Sequence, residues 1–221
     1  MEEVLKIRDL SFNYGSTEVL KNLNLTIKKG EFVGILGNNG SGKSTLLKII
    51  ISELKNFTGK VELFGEDISS FKDWGKIGYV PQIDMSKSIA FPINVKEMIS
   101  LNLYRDFNFF KHPRKRDWQM VKDTMKIFDI EDLQNKNFND LSGGQKQKVM
   151  IAKAMVHNPS FLIFDEPTVG IDEASKKEFF NILEHINKDH GITIVMVTHE
   201  MDVADLYFTR KVYIRDKKVY V

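Results

Sequence analysis

A chain of 221 residues, 42% of them apolar, can bury a full hydrophobic core as one domain, or as one domain with a subdomain. Its 32 basic residues barely exceed its 30 acidic ones, so the basic excess demanded by duplex nucleic acid is missing and no nucleic-acid partner is expected. Cysteine is absent, which excludes disulfides and thiolate metal sites and fits a reducing compartment.

The start, Met1-Glu2-Glu3, is acidic and has no apolar segment of the signal-peptide kind. Val4 to Leu10 and Leu23 to Ile27 alternate apolar and polar residues, and Val61 to Phe64 follows a turn at Thr58-Gly59-Lys60. All three read as strands of an antiparallel sheet half exposed to solvent. Phe12-Asn13-Tyr14-Gly15 reads as a loop with two exposed aromatics. Buried apolar strands are expected at Phe32 to Leu36, Ile77 to Val80, Phe161 to Phe164 and Ile192 to Val197, interleaved with helices, which is the pattern of a parallel sheet covered on both faces. Between about Ile83 and Pro159 helical periodicity takes over, in Val95 to Tyr104, Pro113 to Phe128 and Gly144 to His157. Because the sheet resumes afterwards, this is an inserted helical subdomain. Arg105 to Arg116 combines basic and aromatic side chains and reads as a solvated loop or as a partner-facing patch. Val212 to Val221 looks like a closing hairpin that leaves no room for a further regulatory domain. The longest apolar stretches, Leu46 to Ile51 and Phe161 to Phe164, fall far short of the ~20 residues that cross a bilayer, so any membrane role must come through a partner.

Three short stretches carry chemistry. Gly37-Asn38-Asn39-Gly40-Ser41-Gly42-Lys43-Ser44-Thr45 sits between a buried strand and the helical spacing of Ser44 to Leu54, which is the context a phosphate-binding loop requires. Its glycines let successive N–H groups approach anionic oxygens at the positive end of a helix. Lys43 supplies a point charge for β- and γ-phosphates, and the Ser44 hydroxyl is placed to ligate Mg2+. Phe161 to Phe164 is an apolar strand ending in Asp165 and Glu166. Beside a phosphate loop the first carboxylate belongs with Mg2+ and the second with the attacking water as a general base. Leu141-Ser142-Gly143-Gly144-Gln145 opens a helix with a hydroxyl and bare N–H groups, a second anion site about one hundred residues from the first. One γ-phosphate needs both sites only if the second belongs to another copy.

With these motifs in this order, the chain resembles the ATP-binding subunits of ABC transporters over nearly its whole length. The resemblance implies a single α/β P-loop NTPase domain over residues 1–221. It would comprise a RecA-like core with parallel sheet and an N-terminal antiparallel β-subdomain (about 1–82 and 160–221), and an inserted α-helical subdomain (about 83–159). Tyr14 matches the aromatic that stacks on adenine, where stacking is worth ~1–3 kcal/mol. Gln82, in Tyr79-Val80-Pro81-Gln82, matches the glutamine that couples the Mg2+ site to the helical subdomain. His199 looks like the switch histidine that contacts the γ-phosphate and supports the base. Val169-Gly170-Ile171-Asp172 replaces the commoner Ser-Ala-Leu-Asp but keeps Asp172 for interface signalling. The implied machine is an ATPase that closes as a homodimer around two ATP molecules, each held between one copy's phosphate loop and the other copy's Ser142-Gly143-Gly144-Gln145, an isologous interface.

Phe91-Pro92-Ile93-Asn94-Val95 and Glu166 to Asp172 resemble the zinc and manganese importer branch. The five histidines, at 112, 157, 185, 190 and 199, have no spacing with carboxylates that suggests a transition-metal site, so cargo choice would lie in the permease and an extracytoplasmic binding protein. The chain would then sit on the cytoplasmic face of the membrane, against permease subunits. Between Gln82 and Tyr104, Ile89, Phe91, Ile93, Met98 and Ile99 are expected to offer apolar contacts to a permease helix. Another cargo, or a non-transport ATPase such as a cell-division module, stays open. A chromosome or repair ATPase would need a long coiled-coil insertion, and a tandem translation-type ATPase two phosphate loops.

Overall fold

The computed structural model describes residues 2–82, 90–107, 112–199 and 206–220. Strands β1 (Glu3–Tyr14) and β2 (Thr17–Lys28) form a long antiparallel hairpin. It runs further than alternation alone predicts. Pairing continues through Phe12↔Leu20 and Tyr14↔Thr17, so the expected aromatic loop is strand: Phe12 is buried against the core and only Tyr14 is exposed. β4 (Thr58–Leu63) begins inside the expected turn and pairs with β1, and β5 (Glu66–Asp67) completes a four-stranded sheet in the order β2-β1-β4-β5.

The central sheet has six strands. β3 (Phe32–Leu36), β6 (Ile77–Val80), β7 (Phe161–Asp165), β8 (Thr193–Thr198) and β9 (Arg210–Arg215) are parallel. β10 (Lys218–Tyr220) returns antiparallel, giving the order β10-β9-β3-β8-β7-β6. Parallel strands covered on both faces read as continuous apolar runs, and β3 and β7 are buried at every position.

Alternation along these strands feeds two separate cores. Val33, Ile35, Phe161, Ile163, Val195, Val197, Val212 and Ile214 face helix α1 (Lys43–Ile50) and the antiparallel sheet. Phe32, Val80, Leu162, Phe164, Ile194 and Met196 face the helical side, made of α2 (Val95–Ser100), α3 (Lys115–Ile127), α4 (Gly143–Met155) and α5 (Glu173–His190). Each such side chain contributes roughly 1.5–3 kcal/mol on burial. The inserted helices therefore share one continuous core with the sheet. The position of α5 was not legible as a bounded element in the sequence.

Tertiary contacts trim the expected helices. The one expected from Val95 to Tyr104 stops at Ser100, whose hydroxyl donates to the Glu97 carbonyl (2.8 Å), and continues as a 3-10 turn over Leu101–Asp106. That turn is held from outside: the Asn102 amide donates to Lys153 O (2.7 Å), and His157 Nε2 lies 3.0 Å from Asn102 O. α3 starts two residues after Pro113, with the Asp117 carboxylate accepting from Arg114 N (2.7 Å). Of the apolar contacts expected for a permease, Ile93, Met98 and Ile99 are instead buried in the helical core; Phe91 is 62% exposed, and Ile89 lies outside the described residues. A helix face this close to the sheet packs its apolar residues inward rather than presenting them. The basic and aromatic stretch from Arg105 to Arg116 falls partly outside the described residues too.

α4 packs tightly on β6. A Cβ at Gly78 would stand 2.6 Å from the Ala154 carbonyl oxygen and 2.6 Å from a Leu162 methyl. Gly78→Ala is expected to cost about 1–3 kcal/mol by overpacking, read as a lower urea midpoint with an unchanged slope.

Candidate functional site

Strand register gathers the chemistry at one edge. Leu36 pairs with Thr198, Asp165 with Val197 and Val80 with Phe164, so the loops leaving β3, β7, β8 and β6 emerge side by side at the carboxyl ends of the parallel strands. Those loops carry residues 37–45, Asp165-Glu166, His199 and Gln82. The loops after β3, β6 and β7, together with Tyr14 from β1, border a cavity of about 500 Å3 whose lining includes Tyr14, Asn39, Lys43, Ser44, Gln82 and Glu166; Asp165 and His199 stand next to it without lining it.

The phosphate loop is shaped by its glycines and by what surrounds it. Gly42 caps α1 in the left-handed region (φ 100°), where a Cβ would also strike a Leu20 methyl at 2.7 Å. Lys43 is nearly fully buried, and its ammonium donates to Gly37 O (2.7 Å) and Asn38 O (3.0 Å). Thr45 is buried in the first turn of α1 and lines the cavity. Ser41 Oγ is buried without a hydrogen-bond partner among the described residues, a donor left over inside a loop whose glycines are built for anionic oxygens.

Parity decides where the two acids go. Asp165 falls on the same face of β7 as Phe161 and Ile163, the α1 face, and its Oδ1 lies 3.4 Å from Ser44 Oγ. Burial and, secondarily, the neighbouring Glu166 charge push the Asp165 carboxyl above its usual range, and the Ser44 hydrogen bond offsets this only in part. A hydroxyl and a carboxylate oxygen at this spacing form a hard-oxygen donor pair suited to Mg2+.

Glu166 turns off the strand with φ 43°, a left-handed conformation costing of order 1–3 kcal/mol in a residue with a Cβ. Its N–H is anchored to Val197 O (2.9 Å). The turn brings its carboxylate among three partners: Lys43 Nζ at 4.0 Å from Oε1, and Gln82 Nε2 at 3.3 Å and His199 Nδ1 at 3.5 Å from Oε2. Thus Lys43, Ser44, Gln82, Asp165, Glu166 and His199, dispersed over more than 150 residues of sequence, converge.

The remaining expected residues stand elsewhere. Ser142 Oγ caps α4 by accepting from Gln145 N (3.3 Å), while Gln145 Oε1 accepts from Ser142 N (3.1 Å). Asp172 caps α5, accepting from the N–H and hydroxyl of Ser175 (3.0 and 2.7 Å), which hold its carboxyl below the usual range. Neither these residues nor Gly143 and Gly144 line the cavity. The two glycines differ: a Cβ on Gly144 would meet Ser175 Oγ at 2.8 Å, whereas one on Gly143 would meet nothing within 4 Å. Packing among the described residues accounts for Gly144 and leaves Gly143 unexplained.

Two contributors were not singled out from sequence. Val19 lines the cavity beside Tyr14. Gln147, buried on α4, donates to Pro167 O (2.9 Å) and so ties that helix to the loop carrying Glu166. A polar side chain among the apolar positions Val149, Met150 and Ile151 is the signal that marks it.

The sequence pattern of the ABC transporter family matches residues 20–169. A zinc uptake system ATP-binding protein (ZurA) of Listeria innocua is 36% identical over 220 residues, covering 100% of this chain and 86% of the relative. A high-affinity zinc uptake system ATP-binding protein (ZnuC) of Bacillus subtilis is 39% identical over 210 residues, covering 94% of this chain and 89% of the relative. A solved dimeric ATP-binding cassette, in a post-hydrolysis state bound to ADP and Pi, superposes with a TM-score of 0.79 at 30% identity, covering 98% of this chain and 97% of the other.

The raised Asp165 carboxyl has a consequence for stability. A group whose folded-state pKa is raised stabilises the fold only while protonated, and that contribution is lost as pH rises through the folded value. Asp165→Asn, without nucleotide and in chelator, is therefore expected to raise the unfolding midpoint at neutral pH by about 2–4 °C per kcal/mol relieved. The gap should shrink as pH falls toward ~4, the range of an unperturbed Asp. Calorimetry over that pH range checks it.

Proposed function

The chain belongs to the ABC transporter family as an ATP-hydrolysing subunit, and on that footing we propose that it powers import of a divalent metal ion, zinc or manganese, through a membrane permease. The observation that carries the ATPase reading is the convergence of Lys43, Gln82 and His199 on the Glu166 carboxylate, next to the Ser44–Asp165 pair. The cargo reading is supported by the two zinc-uptake relatives and by the segment from Phe91 to Val95.

In this reading the N–H groups of residues 37–45 and the Lys43 ammonium bind the phosphates, and the Ser41 hydroxyl donates to one of their oxygens. Tyr14, half exposed at the cavity rim and edge-on to Phe12 (4.9 Å between centroids), offers a ring face to the base. Ser44, Asp165 and Gln82 would hold Mg2+, which neutralises phosphate charge when bound and keeps Asp165 ionised. Glu166 accepts the proton of the attacking water. Gln82 and His199 fix the orientation of its carboxylate, and the fixed backbone at φ 43° prevents it from swinging away.

Ser142, Gly143, Gly144 and Gln145 act across a two-fold dimer on the nucleotide held by the other copy, with Asp172 at the same interface. The open space over Gly143 supports this, since nothing among the described residues requires a glycine there. A permease docks on the sheet-and-helix side, and an extracytoplasmic binding protein delivers the metal to it. The chain itself sits at the cytoplasmic membrane face through that permease; among the described residues no helix is long and apolar enough to cross a bilayer.

Two variants test this. Glu166→Gln should lower ATP hydrolysis by roughly 10²–10⁴-fold. Cells carrying it in place of the native chain should lose zinc or manganese selectively, with rescue by excess metal; unchanged metal content with the variant expressed would remove the cargo assignment. Gly143→Asp places an acid in the first turn of α4, where the helix dipole favours it, so the unfolding midpoint should hold or rise slightly. ATP-driven dimer formation, followed by light scattering in the Glu166→Gln background, should nevertheless be lost, because the new carboxylate would face phosphate.

A further inference from the structure

The two sheets meet at a corner formed by the turn between β9 and β10. Asp216 and Lys217 alone join these strands, since Arg215 pairs with Lys218 across the ladder. Both are left-handed, Asp216 at φ 48° and Lys217 at φ 66°, the conformation of a tight hairpin turn in which glycine is the favoured second residue. A lysine there carries backbone strain, which persists where the surroundings hold it. Here the surroundings are β2, in the other sheet. Lys217 O accepts from Lys21 N (2.9 Å), and Lys217 Nζ lies 3.5 Å from Glu18 Oε2, the same oxygen that Lys21 Nζ approaches at 3.6 Å.

This corner reaches both ends of the nucleotide cavity. On one side β9 runs beside β3, with Tyr213 paired to Leu36, and a Cβ at Gly37 of the phosphate loop would stand 2.5 Å from the Ile214 carbonyl oxygen. On the other side Glu18 pairs with Asn13, one step from the Tyr14↔Thr17 pair, and is followed by Val19, which lines the cavity beside Tyr14. Residues 13–17 are all exposed, so burial contributes little to where the Tyr14 ring stands. The β9–β10 hairpin therefore bridges the loop built for phosphates and the hairpin tip that carries the aromatic.

We infer that Glu18 and Lys217 are positioning residues for the nucleobase: by tying the tip of the β1–β2 hairpin to the β9–β10 turn, they fix how far the Tyr14 ring stands from phosphates seated on residues 37–45. Neither lines the cavity. An exposed ion pair alone stabilises little. This one acts by holding the Lys21–Lys217 hydrogen bond in place, and a ring already placed for stacking spares the nucleotide an ordering cost on binding. The inference rests on the reading that Tyr14 faces the base, and it holds whatever the cargo is.

The test compares binding of ATP with binding of inorganic tripolyphosphate, which has the phosphates and no base, to the purified chain in Mg2+ by calorimetry. Lys217→Glu sets two carboxylates together and should raise the Kd for ATP about 3- to 10-fold, part of what a lost stack would cost, with tripolyphosphate affinity within about twofold of native. The charge swap, Lys217→Glu with Glu18→Lys, should restore most of the lost affinity. Lys217→Gly relaxes the turn, so its unfolding midpoint should hold or rise, yet ATP should still bind more weakly. A residue that served only the turn would not separate those two readouts. In a Tyr14→Ala background Lys217→Glu should add no further loss. Equal weakening of ATP and tripolyphosphate, unchanged ATP affinity in both Lys217 variants, or a charge swap that restores nothing would overturn the inference. Native ATP affinity in Tyr14→Ala would instead remove the base-stacking reading itself, whereas weak ATP binding by Tyr14→Ala beside normal binding by both Lys217 variants sinks this inference alone.

Discussion

A lysine buried beside two carboxylates, at the carboxyl edge of a parallel sheet, is the constraint on which the molecule rests. Lys43, Asp165 and Glu166 are each unfavourable to bury alone, and together they are tolerable only because strand register fixes their spacing. The backbone concedes further ground, holding Glu166 in a left-handed conformation that glycine would adopt without strain. Backbone strain at Glu166 and a raised carboxyl at Asp165 stand side by side, which is where a hydrolytic site stores what the rest of the fold has gained.

What has been gained comes from two cores on opposite faces of one sheet. The α1 core holds the phosphate loop against the antiparallel sheet, and through it Tyr14 at the cavity rim. The helical core binds α4 and α5 to the opposite face. Strand β7 belongs to both, sending alternate side chains to each and ending in Asp165, with Glu166 at the turn that follows. A displacement of the helical side is thus felt at the strand that carries the acids, and the Gln147 to Pro167 hydrogen bond adds a direct link from the helix opened by Ser142.

The same helix connects three surfaces. Its first turn presents Ser142 and Gly143 outward, its middle ties to the loop after Glu166, and its last turn places Lys153 at a groove between the end of α1 and β6. One element of thirteen residues therefore runs from the exposed end proposed to meet a second copy, past the carboxyl edge of the sheet, to the groove beyond. Motion at any of these is mechanically shared with the others, which suits an enzyme whose product is a change of shape.

How much of this the amino-acid order determined by itself depends on range. The phosphate loop, the strand ending in Asp165-Glu166 and the capping serine at 142 are local: glycines, a lysine and a hydroxyl at fixed offsets around one strand-to-helix turn. They were legible because their chemistry lies within a few residues, and the buried strands were legible because parallel strands must be apolar throughout. The long hairpin that buries Phe12, the break at Ser100 and the burial of Ile93, Met98 and Ile99 were not. Each is decided by a partner outside its own segment: Leu20 across the hairpin ladder, Lys153 holding Asn102, and a sheet face that draws the helix inward. The distances at which Lys43, Gln82 and His199 surround the Glu166 carboxylate, and the place of Lys153 in its groove, belong to tertiary structure alone. Strand register and desolvation act between segments that sequence spacing leaves independent.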